Sequence, residues 1–236
     1  MIILSTVIFF GLLLFHPSTA SSGIIVHDLI TVKGQQTMLK VETRGKLLSK
    51  GGELVDISVN GKQIGRALSG GDGFAFRQFT AAGTGIYRIT AKSGKEEGRG
   101  LLLSLTKGEK IIFIDAEGVL LKEAFSEKTR KGSRETIKKL SGRFPVVFLQ
   151  TGLLGVKALK TWLRENGFQE APVIPWRQGM IFDEIKEIGL KIKAVIGSRS
   201  VIESAKPYNA RAFSFEAGGD AEEVKEWDDI RKKINQ

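Results

Sequence analysis

Ile111-Ile112-Phe113-Ile114-Asp115-Ala116-Glu117-Gly118-Val119-Leu120 is the stretch on which the fold of this chain turns. Four consecutive apolar residues predict a strand covered on both faces, as strands of a parallel sheet are. An acid directly after such a strand lies at its carboxyl end, the edge where open α/β sheets place their ligands. Downstream the pattern alternates. Ile137, Leu140 and Phe144 recur on one helical face with Ser133 as N-cap, and Val146-Val147-Phe148-Leu149 is the next strand. Val156, Leu159 and Leu163 mark a second helix, closed by Asn166-Gly167. Strand-like Val173-Ile174, Ala194-Val195-Ile196 and Ala212-Phe213-Ser214-Phe215 then interleave with helices around 180–189, 200–206 and 221–234; the last carries Val224, Trp227 and Ile234 on one side. Each parallel crossover needs a covering helix, so this alternation predicts a doubly wound parallel α/β sheet over residues 109–236.

Upstream the period changes. From Ile24 to Leu105 short alternating stretches are cut by Gly-rich turns, an all-β signature. The predicted strands are Met38–Glu42, Leu54–Val59, Phe74–Phe79, Gly85–Ala91 and Leu101–Leu105. Asn60-Gly61 is the strongest turn signal, because a type I′ hairpin needs positive φ at both central residues. The boundary falls in Thr106-Lys107-Gly108-Glu109-Lys110, giving a β-sandwich over 21–108 and an α/β domain over 109–236, each expected to fold alone. Val59-Asn60-Gly61-Lys62-Gln63-Ile64-Gly65, Asp72-Gly73-Phe74 and Gly83-Thr84-Gly85-Ile86-Tyr87 resemble the immunoglobulin-like (Ig-like) modules of bacterial surface and periplasmic proteins. The aromatic and Gly residues of this half read as core and turns, without an exposed aromatic cluster.

The first residues set the compartment. Ile2 to Phe15 is an apolar run without a charged side chain, and Ser18-Thr19-Ala20 supplies small residues for a signal peptidase, so residues 1–20 read as a signal peptide cleaved after Ala20. The product would be secreted or periplasmic, without a stable transmembrane helix; if uncleaved, the run is a short membrane anchor. With no Cys, disulfides, thiolate metal sites and a lipoprotein anchor are excluded. His27 is the one histidine outside the leader, too few for a zinc site or a Ser-His-Asp triad. No Gly-x-Gly-x-x-Gly follows the first α/β strand, which argues against a dinucleotide. The net charge of +10 is spread over both halves. It reads either as a solvated basic surface or as attraction to an anionic small molecule, a lipid phosphate or an envelope polysaccharide, with no nucleic acid expected.

Asp115-Ala116-Glu117-Gly118, then Gln150-Thr151-Gly152, then Ala194-Val195-Ile196-Gly197-Ser198 resemble the three strand-end motifs of the haloacid dehalogenase-like (HAD-like) superfamily. The resemblance implies that fold without a large cap, and Mg²⁺-dependent phosphoryl transfer. It makes Asp115 the nucleophile and metal ligand, Glu117 the acid and base, and Thr151 a catalytic phosphoryl contact. Thr151, Gly152, Ser198 and Arg199 would bind phosphate or another anion. Glu117 and Ser198 both stand where the superfamily has Asp, which weakens the Mg²⁺ site and misplaces the acid and base. Glu203 could compensate only if its loop shifts. Lys186, Lys191 and Lys193 are candidates for the superfamily's Lys, and Lys206 comes out of order. Three functions follow. The first is an exported cell-envelope pseudoenzyme binding an anionic or phosphorylated ligand rather than efficiently hydrolysing it. The second is a Mg²⁺-dependent phosphatase acting on a large or lipid phosphate ester. The third is an adhesion or carbohydrate-binding protein.

Overall fold

The computed structural model describes residues 23–45, 48–121, 129–217 and 219–234; the leader and its cleavage site lie outside them. Among the described residues, eight strands form the first half: β1 (Gly23–Val26), β2 (Leu29–Val32), β3 (Gln36–Arg44), β4 (Leu54–Val59), β5 (Lys62–Leu68), β6 (Phe74–Thr80), β7 (Gly85–Ser93) and β8 (Glu96–Leu105). They make two sheets, a three-stranded one in the order β1-β3-β6 and a five-stranded one in the order β2-β8-β7-β4-β5. Asn60 (φ 49°) and Gly61 (φ 80°) join β4 to β5 in the left-handed pair that a type I′ turn requires. Alternate residues point inward, so Leu39, Val41, Val55, Ile57, Ala75, Ile89, Ala91 and Leu102 close the sandwich core. At Gly100 a Cβ would sit 2.5 Å from Val26 Cγ1, so the approach of β1 to β8 admits no side chain there.

The second half holds β9 (Lys110–Asp115), α1 (Ser133–Ser141), β10 (Val146–Gln150), α2 (Val156–Glu165), β11 (Val173–Pro175), α3 (Met180–Glu187), β12 (Lys191–Ile196), α4 (Arg199–Ala205), β13 (Arg211–Ser214), β14 (Glu222–Glu223) and α5 (Trp227–Ile234). The six strands of the described residues all pair parallel, in the order β11-β10-β9-β12-β13-β14. The chain starts in the middle, works to one edge and returns to build the other side, as the alternating pattern predicts. The two-residue period of β9 divides the core. Ile112 and Ile114 pack with Ile137 and Leu140 of α1, Leu159 and Leu163 of α2, and Trp227 and Ile230 of α5. Ile111 and Phe113 pack with Ile181, Phe182 and Ile185 of α3 and Val201 of α4.

That second cluster also takes in Val32, Leu103 and Leu105 from β2 and β8, so the two halves share one apolar core. A polar tie reinforces the junction. Asp28, between β1 and β2, has a fully buried side chain and accepts from Leu101 N (2.7 Å), Val173 N (2.8 Å) and Lys160 Nζ (2.5 Å). One carboxylate thereby connects β8 to β11 and α2.

Two expected details differ. Gly132, at φ 78°, caps α1, and the Ser133 hydroxyl inside the first turn is buried without a partner among the described residues. The left-handed cap turns the chain into the helix one residue before the serine. The helix expected over 221–234 begins only at Trp227, because Glu222 and Glu223 pair with β13 instead. Among the described residues, no helix is long and apolar enough to cross a membrane.

Candidate functional site

The strand order reverses between β9 and β12, and the carboxyl ends of these strands meet there. Asp115 closes β9 at this point. A π-helical turn, Ala116–Leu120, follows at once and brings Gly118 N to 2.9 Å from Asp115 Oδ1. A Cβ on Gly118 would fall 2.3 Å from Asp115 Oδ2, so the turn closes this tightly only with glycine. From the end of β10, Thr151 Oγ1 donates to the same Oδ1 at 2.5 Å. From the end of β12, Ser198 donates to Oδ2 through both N (3.1 Å) and Oγ (2.7 Å). Asp115 is completely buried, and each of its oxygens accepts two hydrogen bonds. A carboxylate has about four lone-pair positions, so all are occupied.

Glu117 is held in the same manner one step outward. Its Oε2 accepts from Thr151 N (3.2 Å) and Gly152 N (2.6 Å), and its Oε1 from Leu154 N (2.8 Å). Converging backbone N–H groups of this kind form an anion-binding concavity, and here the chain fills it with its own carboxylate. A Cβ on Gly152 would lie 2.5 Å from Glu117 Oε1. The extra methylene of Glu117, expected to misplace a catalytic group, is what carries its carboxylate onto the amides of the 151–154 loop.

The structure thus brings Asp115, Glu117, Thr151, Gly152 and Ser198 together and leaves the other expected residues apart. Arg199 opens α4 and gives its Nε to Glu203 Oε1 at 2.9 Å, not to Asp115 or Glu117; that partner raises its pKa. Glu203, the candidate substitute ligand, is spent in the same pair. Lys191 and Lys193 belong to the amino half of β12, away from Asp115, and Lys193 lies over the Phe144 ring. Lys186 is exposed on α3, and Lys206 pairs with Asp220.

A Mg²⁺ ion does not fit these residues. Its oxygen ligands must offer lone pairs, yet those of Asp115 are occupied, and Ser198 is neutral where an acid was wanted. Among the described residues, no three His, Cys, Asp or Glu side chains are grouped to hold a metal. Attack on phosphorus by Asp115 would first require breaking one of its four hydrogen bonds in a fully buried position.

No family profile matches the chain, and no curated protein matches it. Among solved structures, the chain is similar to the D00-D0 domain of intimin at 10% identity, covering 39% of this chain and 51% of that one, with a TM-score of 0.31. It is similar to a membrane-anchored protein of Corynebacterium diphtheriae at 19% identity, covering 39% of this chain and 22% of that one, with a TM-score of 0.33. Domains 4 and 5 of the S-layer protein SbsC match at 20% identity over 35% of this chain and 51% of that one, with a TM-score of 0.26. The chain therefore spans about half or less of each. The resemblance to the haloacid dehalogenase-like superfamily is accordingly corrected: no profile and no curated protein of that superfamily matches, and the similar structures include surface, CARDB and fibronectin-type modules. The physical counterpart is the saturated Asp115. A strand-end acid followed by Gly, with hydroxyls after two neighbouring strands, also describes a hydrogen-bonded junction.

Two features escaped sequence reasoning. Phe74, Phe76 (46% exposed) and Met38 (48% exposed) belong to the three-stranded sheet, with ring centroids of the two Phe 6.3 Å apart and Lys40 Nζ 4.0 Å from the Phe74 centroid. The sandwich does expose aromatic surface; Met38 of the central β3 is as open as Phe76 of β6, so it is the outer face of this sheet that lacks a covering layer among the described residues. The other feature is the tie around residues 27 and 28. Burial pushes the Asp28 carboxyl up against the pull of Lys160. Burial, followed by Lys40, pushes the His27 imidazole down, although Glu42 lies 3.5 Å away. Two adjacent polar residues between two four-residue strands give no sign in sequence of what they will meet.

Proposed function

We propose that this chain is an exported cell-envelope protein that acts by binding, as an adhesion or polysaccharide-binding module, and not by phosphoryl transfer. Export rests on the apolar leader and Ser18-Thr19-Ala20. Binding rather than turnover rests on one observation: Asp115 is buried with four hydrogen bonds to its two oxygens, and Glu117 occupies the neighbouring amide concavity. A nucleophile needs a free lone pair facing substrate, and a general acid needs a proton within reach of the leaving group. Neither carboxylate is so placed. The residues at the switch point instead lock three strand ends, and the sandwich is fixed to this rigid base through Asp28 and the shared core.

The test is an assay of residues 21–236 against p-nitrophenyl phosphate and a short-chain phosphatidate, with and without Mg²⁺. Neither ester should be hydrolysed, and Mg²⁺ should leave the melting temperature unchanged. Turnover near the usual enzymatic range of about 1 to 1000 per second, removed by Asp115→Asn, would defeat the proposal.

A further inference from the structure

A cleft of about 1050 Å³ runs between the sandwich and the α/β half, with β1, β7 and β8 on one wall and α2 and the loop after it on the other. We infer that this cleft is the binding site for an acidic polysaccharide, held by the cations of its α2 wall; the inference rests on the binding reading above and assigns its ligand class and location.

The wall charges are lopsided. Lys157, Lys160 and Arg164 line the cleft from α2, and Arg88 and Arg99 line it from β7 and β8, against two acids among the described residues, Glu97 and Glu170. Both acids are committed, Glu170 to Arg88 at 2.5 Å and Glu97 to Arg99 at 2.8 Å, while Lys160 is turned to Asp28. Lys157 and Arg164 are exposed, and among the described residues neither has a carboxylate within ion-pair distance. Two unneutralised cations therefore face a partly enclosed space, where charge acts more strongly than on an open surface.

Spacing selects a polymer over a single small anion. Residues 157, 160 and 164 fall on one helical face, and seven residues at 1.5 Å rise string that face over about 10 Å. The opposite wall carries Arg88 and Arg99 on adjacent strands, each already paired with an acid, so the attraction for an extended polyanion comes from the α2 wall. Hydroxyl-rich ligands need neutral hydrogen-bonding groups as well, and Asn60, Thr90, Thr161 and Gln169 line the same space. The aromatic residues of the cleft, Phe148 and Phe168, are buried in the core, leaving no ring among the described residues on which a nucleobase could stack. A flat lipid surface cannot enter between two walls. The two walls are joined by the buried Asp28–Lys160 pair and the shared core, so the site needs little ordering on binding.

The experiment measures binding of residues 21–236 to polygalacturonate by isothermal titration calorimetry. Neutral dextran, a single-stranded oligonucleotide and phosphatidylglycerol vesicles are the comparison ligands. The double variant Lys157→Glu with Arg164→Glu is compared with Lys186→Glu with Lys191→Glu, which changes net charge equally at exposed positions outside the cleft. Polygalacturonate should bind and dextran should not. The cleft variant should lose about tenfold or more in affinity while the control pair stays within about twofold. Raising salt should weaken binding, and circular dichroism melts should show both variants folded. Absence of binding, equal loss in both variants, or tighter binding to the oligonucleotide or the vesicles would overturn the inference. Ester turnover would instead sink the functional proposal; absent turnover with absent glycan binding refutes the cleft assignment alone.

Discussion

Replacing Asp115 by Asn separates a structural junction from a working active site, because the two roles predict opposite changes in stability. Around Asp115 stand four donors, the N–H groups of Gly118 and Ser198 and the hydroxyls of Thr151 and Ser198, all in a fully buried setting. An amide offers one oxygen and one NH₂ in place of two oxygens. If the oxygen is kept toward Ser198, the NH₂ faces Gly118 N–H; the Thr151 hydroxyl can rotate to accept, but the backbone N–H cannot. That orphaned donor costs about 1–3 kcal/mol, and weakening the retained charge-assisted bonds adds about 1–2 kcal/mol. Relief of the desolvated charge returns part of this, leaving a net loss of about 3 kcal/mol. With an m-value near 2 kcal/mol/M, the urea midpoint should fall by about 1.5 M. Glu117→Gln, at a partly exposed position where three amides lose one acceptor, should cost about half as much. Urea unfolding followed by circular dichroism measures both. Catalytic carboxylates are commonly held at the expense of stability, and neutralising them tends to stabilise the protein. An Asp115→Asn variant as stable as the parent, or more so, would therefore refute the junction reading.

Three further outcomes follow from the same geometry. Burial raises the Asp28 carboxyl above its ordinary value of 3.8, so its ionisation opposes folding: the stability it contributes is fully present below pH 3.8 and is lost as pH rises through the folded value. Urea melts of the parent and of Asp28→Asn should therefore differ more at pH 3 than at pH 6, and a gap that widens with pH would mean that Lys160 dominates. His27 is depressed below 6.5, so the unfolded chain takes up its proton first and stability should decline as pH falls through 6.5; the ring resonances should titrate below 6.5, and a midpoint above it would contradict the burial effect. We place the domain boundary between 108 and 109, yet Val32, Leu103 and Leu105 share a core with Ile111 and Phe113. The isolated 109–236 fragment should consequently melt lower than the whole chain and bind a hydrophobic dye, whereas an unchanged melting temperature would mean the shared core adds nothing.

How far the sequence carried depends on which physical signal each element sends. Doubly covered strands must be apolar throughout, so Ile111–Ile114 and Val146–Leu149 announced themselves, and the Asn60-Gly61 turn was equally plain because few residue pairs accept two positive φ values. β5 was invisible: Lys62–Leu68 is an exposed edge strand with Gly65 inside it, and its pairing with β4 comes from the turn and not from alternation. β1 and β2 were missed because four residues are too few to display a period. The switch-point cluster was legible as a location, since residues at adjacent strand ends must converge. Its chemistry was not, because sequence names the carboxylates without stating who donates to them. Asp115 followed by Glu117 reads as a reactive pair when each is credited with free lone pairs. It becomes a fastening once Gly118, Thr151, Gly152, Leu154 and Ser198 are seen to take up those lone pairs with seven hydrogen bonds. The cleft was still further from view: its cations come from β7, β8 and α2, and it is the shared core and the tie between Asp28 and Lys160, 132 residues apart in the chain, that set those walls face to face.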